Sequence, residues 1–305
     1  MSKSDSVLIK VPATTANIGP GFDCLGAALS LYNEFEFTLT TEKTSFTVSG
    51  TEGDKISLTE DNLLYQSFVR FYQHTGLEIP AVKINIKVGV PLARGLGSSA
   101  TAIVGGLLGA NYFAPQPISN QELMDLAISI EGHPDNVIPA FMGNCILSVG
   151  SADNWHFVPI PIDSDVAFVL AIPDFELSTE SARAVLPSHL SYQDAVYNIA
   201  HLGLLIRGLA TANGEWLSEA LGDRLHQPYR RSLIRGYDDL EKVALGHGAY
   251  GMVISGAGPT LLALCPQSEA VEVAEAMEKT WQEMGVKAKV RSHLLDREGA
   301  KIIDN

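Results

Sequence analysis

The chain has 305 residues, 46% hydrophobic and 18% charged, and its 21 Lys and Arg against 35 Asp and Glu give a formal net charge of −14. That length holds one large or two ordinary domains with a sizeable core, while so acidic a balance excludes nucleic acid and anionic membrane as partners, since both need basic surface. Three cysteines, Cys24, Cys145 and Cys265, are far apart and odd in number, which fits buried thiols in a reducing compartment better than a disulfide frame or a zinc site.

Met1-Ser-Lys-Ser-Asp-Ser leads directly into a short apolar strand, Val7–Val11, and no apolar run reaches the ~20 residues of a membrane span, so a cytoplasmic protein is expected. The segment from Pro12 to Gly26 is rich in turn formers and fixes two short polar side chains, Asn17 and Asp23, among glycines and prolines. Alternating stretches at Glu34–Thr40 and Thr44–Ser49 predict a hairpin, and Asp61 predicts the N-cap of a helix running to about His74. In Val82–Val88 the apolar Val82, Ile84, Ile86 and Val88 alternate with Lys83, Asn85 and Lys87, the period of a half-buried strand.

A loop follows, Pro91-Leu-Ala-Arg-Gly-Leu-Gly-Ser-Ser-Ala-Thr101, and Ser98–Phe113 then reads as a buried helix. Strand, glycine-serine loop and helix leave the first helical N–H groups free, and with the helix dipole they favour an anion. Gly95 and Gly97 let the backbone approach a ligand, while Ser98, Ser99 and Thr101 add hydroxyls for phosphate oxygens or magnesium. A polyphosphate is the expected guest. Neither the Walker pattern nor a G-x-G-x-x-G turn is present.

Ser119-Asn-Gln-Glu122 predicts a capping box, and the helix it opens delivers Glu131-Gly-His-Pro-Asp-Asn136, a carboxylate, an imidazole and an amide gathered at a glycine-proline break. The proline-broken Pro159–Asp163 is the expected domain boundary. Beyond it come a strand at Asp165–Ile172, a capped helix at Ser178–Pro187, helices at Ser191–Ala212 and about Ser232–Gly246, and apolar runs flanking Ser255-Gly-Ala-Gly-Pro259. A helix from about Ser268 to Met284 and a strand at Val286–Arg291 complete a pattern consistent with a ferredoxin-like half.

Pro-x-x-x-Gly-Leu-Gly-Ser-Ser-Ala resembles the phosphate-binding signature of the GHMP kinases, small-molecule kinases for galactose, homoserine, mevalonate and phosphomevalonate. The run Ala-Asn-x-Gly-Pro-Gly-Phe-Asp and the run Glu-Gly-His-Pro-Asp-Asn-Val-x-Pro-Ala are similar to the first and second motifs of the homoserine kinases within that family, and Ser255–Pro259 resembles the third GHMP motif. The resemblance implies an α+β, two-domain GHMP kinase fold, with an ATP-binding α/β domain over residues 1–162 and a ferredoxin-like domain over 163–305.

It further implies ATP and Mg²⁺ as cofactors and phosphorylation of the L-homoserine hydroxyl for threonine synthesis. By the same resemblance Pro91, Leu92, Ala93, Arg94, Gly95, Leu96, Gly97, Ser98, Ser99, Ala100 and Thr101, with Asn62 and Lys87, bind the nucleotide, and Ser99 and Glu131 hold the metal. Asn17, Asp23, His133, Asn136, Arg183, Arg230 and Gly258 would line the substrate pocket, the two arginines because a guanidinium fork matches an amino-acid carboxylate. Arg231 is the rival of Arg230. The turn reads His-Pro-Asp-Asn where several sugar and mevalonate kinases carry a basic Asp, and phosphoryl transfer through a loose transition state does not require one. Asn136 is therefore expected to orient the attacking hydroxyl. A homodimer is the expected assembly. A GHMP kinase for another small alcohol, and a non-catalytic metabolite-binding regulator on the same fold, are the alternatives.

Overall fold

A computed structural model of the chain describes residues 4–151 and 154–304. The segment Met1–Lys3, expected to lead into the first strand, lies outside that range. The first strand, β1 (Ser6–Ala16), is longer than its apolar start, because it pairs antiparallel along its length with β2 (Leu25–Leu39). The register shifts between Pro12 and Ala13, at the residue that has no N–H to give the ladder.

The hairpin expected of Glu34–Thr40 and Thr44–Ser49 does not form. Both segments are strands, but β4 (Val82–Val88) pairs antiparallel with the second half of β2, and β3 (Ser45–Gly50) lies parallel along the outer edge of β4. Burial decides this order: β4 turns Val82, Ile84, Ile86 and Val88 into the core, whereas β3 has only Phe46 and Val48 half-buried and takes the edge. On the other side β5 (Cys145–Ser151) pairs with the start of β2, β6 (Asn154–Ile160) pairs with β5, and a final strand, β11 (Lys301–Asp304), returns to the free edge of β1. The strands β5 and β6 escape the sequence reading, and Pro159, read as a break, sits inside β6. There β6 pairs only with β5, so the missing N–H is tolerated.

Four helices cover one face of this sheet: α1 (Leu63–Thr75), α2 (Ser98–Phe113), α3 (Asn120–Glu131) and α4 (Pro134–Met142). The α2 helix is buried from Ala100 through Ala110 apart from Ala102, so nearly all of its faces meet protein. Gly106 lets it approach α1 closely, since a Cβ there would lie 2.2 Å from the Leu64 carbonyl oxygen. The cap of α1 is Asn62 rather than Asp61; its Oδ1 accepts from Leu64 N at 3.0 Å. Half of the capping box of α3 is present: Ser119 Oγ accepts from Glu122 N, but the Glu122 carboxylate turns to His74 at 2.9 Å.

The chain leaves the first sheet after Ile160 and enters the second at β7 (Val166–Pro173). With β8 (Gly251–Ile254), β9 (Leu261–Pro266) and β10 (Ala288–His293), β7 forms an antiparallel sheet of order β10-β7-β9-β8. Between β7 and β8 come α5 (Thr179–Ala184), α6 (Tyr192–Thr211), α7 (Gly214–Ala220), α8 (Gln227–Arg230) and α9 (Tyr237–Gly246), and α10 (Ala270–Glu283) joins β9 to β10. The helix expected from Ser232 begins only at Tyr237, after Gly236 at φ 75°. One face packs on α9 and α10 around the fully buried Trp281, the ferredoxin-like arrangement. The other face shares a core with the first sheet, in which Leu25, Ala27 and Leu29 meet Phe168, Leu170 and Leu262 alongside Leu205 and Leu209 of α6. The two sheets are thus joined by apolar burial, at ~1.5–3 kcal/mol for each large side chain. Among the described residues no helix is long and apolar enough to cross a membrane.

Candidate active site

The loop between β4 and α2 is shaped by its glycines and by what stands behind them. Gly97, at φ 64°, caps α2 without a side-chain bond, which leaves the first N–H groups of the helix directed out of its end. A Cβ at Gly97 would lie 1.9 Å from Thr14 Oγ1 and 3.1 Å from Asn136 Oδ1; one at Gly95, at φ 73°, would lie 2.2 Å from the Ser255 carbonyl oxygen. The second half of the chain supports this loop from behind. Ser255 Oγ donates to Gly95 O at 2.7 Å, Thr260 N to Arg94 O at 3.2 Å and Leu177 N to Ala93 O at 3.2 Å.

Beside the helix end, Ser99 Oγ donates to Glu131 Oε1 at 2.7 Å. Burial raises the Glu131 pKa above the ordinary carboxylate range; the Ser99 hydrogen bond and the charge of His133 offset part of this, and Asp135 adds to it. Magnesium prefers hard oxygens and is commonly held by one or two protein ligands with phosphates and water. One hydroxyl and one carboxylate at the mouth of an anion site fit that description. Among the described residues no group of three His, Cys, Asp or Glu forms an all-protein metal cage.

Next to this pair the turn opening α4 brings three polar side chains together. His133 Nδ1 is 2.6 Å from Asp135 Oδ1, Asn136 Nδ2 donates to the same oxygen at 3.3 Å, and Thr14 Oγ1 donates to Asn136 Oδ1 at 2.8 Å. Burial pulls the His133 pKa down, but the Asp135 hydrogen bond and charge, helped by Glu131 and Asp23, leave it raised. Asp135 is 2% exposed and lines the cleft. It orients both neighbours, a role the sequence reading missed although the residue stood inside the motif.

Two arginines converge from the other wall. Arg183, at the end of α5, makes a fork with Asp23, Nη2–Oδ1 2.7 Å and Nη1–Oδ2 3.1 Å, both side chains being about one third exposed. Arg230 is 2% exposed and donates to the carbonyl oxygens of Ala182 at 2.9 Å and Gly256 at 3.1 Å. Among the described residues no carboxylate forms an ion pair with it, and burial together with the charge of Arg183 pulls its pKa below the ordinary guanidinium value. A buried guanidinium without a carboxylate partner keeps donors from which an anion could accept. The rival, Arg231, is half exposed and pairs with Asp238 on the surface, outside the cleft. Asn17 braces the site: Nδ2 donates to Gly256 O at 2.8 Å while Oδ1 accepts from Asp23 N at 3.0 Å.

Asn17, Asp23, Ser99, Glu131, His133, Asp135, Asn136, Arg183 and Arg230 line one cleft of about 500 Å³, whose apolar part is lined by Ile56, Leu64, Ile86 and Val88 beside Asn62. Several expected contacts are not where the sequence reading put them. Lys87 points away from the cleft and pairs with Glu34 at 3.1 Å, because strand alternation sends Ile86 and Val88 inward instead. Arg94 touches the cleft, but its guanidinium is turned into the protein, bound to the carbonyls of Pro173, Leu92 and Asp174 and to Glu52. Asn62 lines the apolar end with both amide ends engaged, by Leu64 N and by Ser57 O. Pro91, Ala100, Thr101 and Gly258 do not line the cleft, where Gly256 and Ala257 stand in place of Gly258; the Thr101 hydroxyl accepts from Asn33 Nδ2 at 2.7 Å.

Residues 62–144 match the model of the GHMP kinases N terminal domain and residues 204–283 that of the GHMP kinases C terminal domain. The chain is 58% identical to a homoserine kinase from Crocosphaera subtropica over 97% of both chains, and 57% identical to one from Microchaete diplosiphon over 100% of this chain and 99% of that one. Among solved structures it resembles the homoserine kinase from Cytophaga hutchinsonii, with a TM-score of 0.89 and 30% identity over 99% of each chain. A mevalonate kinase at 13% identity, with a TM-score of 0.68 over 95% of this chain and 99% of that one, shares the fold. The chain belongs to the homoserine kinase family of the GHMP kinases.

Proposed function

We propose that this protein transfers the γ-phosphoryl group of ATP to the side-chain hydroxyl of L-homoserine, giving ADP and O-phospho-L-homoserine for threonine synthesis, as a cytoplasmic homodimer. The observation that carries the reading is the convergence in one cleft of an anion-binding helix end, a Ser99–Glu131 oxygen pair and an Arg183–Arg230 pair. A phosphoryl donor and an amino-acid acceptor need those features side by side. Residues 1–162 act as the nucleotide domain and 163–305 as the domain that closes the amino-acid end, with β11 returning to the first sheet.

In this reading the free N–H groups at the start of α2 bind the donor phosphates, and the apolar end of the cleft takes the base. Ser99 and Glu131 would hold magnesium, which when bound would supply positive charge against the phosphates. Arg230, anchored by carbonyls and lacking an acid partner, receives the substrate carboxylate. Arg183 exchanges Asp23 for the same carboxylate, which frees Asp23 for the substrate ammonium. Asn136, held by Thr14 and Asp135, directs the hydroxyl at the donor, so catalysis rests on positioning and charge neutralisation. The hydroxyl proton leaves to the phosphoryl oxygens or to solvent.

Phosphorus NMR of the protein with ATP, magnesium and L-homoserine tests the product. A new phosphomonoester resonance coupled to the C4 methylene protons is expected; inorganic phosphate alone would contradict the proposal.

A further inference from the structure

A cleft that binds a polyphosphate on so acidic a chain needs cations able to reach it, and those on its wall are nearly all committed elsewhere. Arg94 is fixed by backbone carbonyls, Arg183 is forked on Asp23, and Arg230 is held by Ala182 O and Gly256 O at the amino-acid end. Among the described lining residues this leaves His133, which Asp135 holds, and Lys55, at the end of a short 3-10 turn, Gly53–Lys55. Its Nζ lies 2.9 Å from Glu52 Oε1 and 2.6 Å from Glu176 Oε1. Lys55 lines the cleft; neither glutamate does.

The two acids are not equivalent. Glu52 is fastened to the phosphate loop, since its Oε2 accepts from Leu92 N at 2.9 Å and its Oε1 from Arg94 Nη2 at 3.3 Å, so it sets Lys55 against the start of that loop. Glu176 comes from the segment after β7 and is about half exposed; its Oε1 also lies 3.4 Å from Arg94 Nη1, so it touches the loop through that side chain alone, without the backbone bond that holds Glu52. Lys55 and Glu176 are both open to water, and exposed ion pairs of this kind contribute little. A flexible four-carbon stem can turn its ammonium from such a partner to a multivalent anion at small cost.

We propose that Lys55 is a binding residue for the polyphosphate of the nucleotide, exchanging Glu176 for it when the nucleotide enters while Glu52 keeps its stem aimed at the loop. The proposal rests on the ATP-binding part of the function given above. It makes Glu176 a competitor of the nucleotide, which a merely structural strap would not be.

Calorimetric titration of the full chain with a non-hydrolysable ATP analogue and magnesium, and separately with adenosine, tests it. Lys55→Met is expected to weaken the triphosphate about tenfold and leave adenosine unchanged, the retained adenosine binding serving as the check on folding. Glu176→Gln is expected to tighten the triphosphate by about two- to threefold. Unchanged triphosphate affinity in Lys55→Met overturns the proposal, and so does equal weakening by both variants, the signature of a strap. If the unaltered protein bound no triphosphate, the ATP reading itself would fall, a result separate from either.

Discussion

Replacing Arg183 by Met separates substrate recognition from scaffolding. The Arg183–Asp23 fork is bidentate, but each side chain is about one third exposed, so its contribution to stability is below ~1 kcal/mol and the melting temperature should move by no more than about 3 °C. The carboxylate of the substrate, by contrast, would lose charge-assisted hydrogen bonds of ~1.5–3 kcal/mol. At 1.36 kcal/mol per factor of ten, kcat/KM for homoserine should fall about 10- to 150-fold, with the KM for ATP unchanged. The fall stops there because Arg230 remains. A coupled assay for ADP run on L-homoserine and on 3-aminopropan-1-ol, the same molecule without its carboxylate, isolates the contact. The unaltered protein should prefer homoserine strongly and Arg183→Met should narrow that preference. An equal loss on both alcohols would show that Arg183 holds the fold rather than the carboxylate.

Asn136→Ala should lower kcat by about 10- to 100-fold while ATP binding persists, because the hydroxyl loses its guide and the phosphate loop does not; full turnover would remove Asn136 from the mechanism. Gly97→Ala sets a Cβ 1.9 Å from Thr14 Oγ1 at a positive φ, and denaturant unfolding should register a loss of ~2 kcal/mol or more together with loss of nucleotide binding. Burial raises the Glu131 pKa, so the folded protein without metal holds that proton more tightly than the unfolded chain. The resulting stability is present below the ordinary glutamate value and is lost as pH rises through the folded one. Magnesium needs the ionised form, so magnesium-dependent nucleotide affinity should fall as pH drops through the raised value. Titrations across that range should show Glu131→Gln weaker throughout and free of this pH step.

The phosphate loop was legible in the sequence because its chemistry is local: a strand, two glycines and a helix rich in small residues fix the anion site within one stretch. The ferredoxin-like half was legible for a similar reason, since hairpin, helix and last strand follow one another. What escaped was set by pairing at a distance. The partner of β3 depends on which strand buries more apolar surface beside β2, and the turn from β2 does not determine that. Lys87 is the exception, since the alternation of Val82–Val88 already put it on the face opposite Ile86 and Val88, and only the resemblance drew it to the nucleotide. The direction of the Arg94 guanidinium was not legible, because the carbonyls of Pro173 and Asp174 that hold it come from about eighty residues away. Lys55 carried no signal at all, because its place on the cleft wall depends on Glu52 and the phosphate loop rather than on its neighbours in sequence.

The central claim is that the cleft joins ATP to an amino-acid alcohol. ATP turnover with magnesium, followed by ADP formation across homoserine, mevalonate, galactose, shikimate and a blank without alcohol, tests it most directly. Turnover with homoserine at least a hundredfold above the blank, and above every other alcohol, is expected. Turnover on another alcohol in preference to homoserine would contradict the assignment of the Arg183–Arg230 pocket, and turnover on none would contradict the kinase itself.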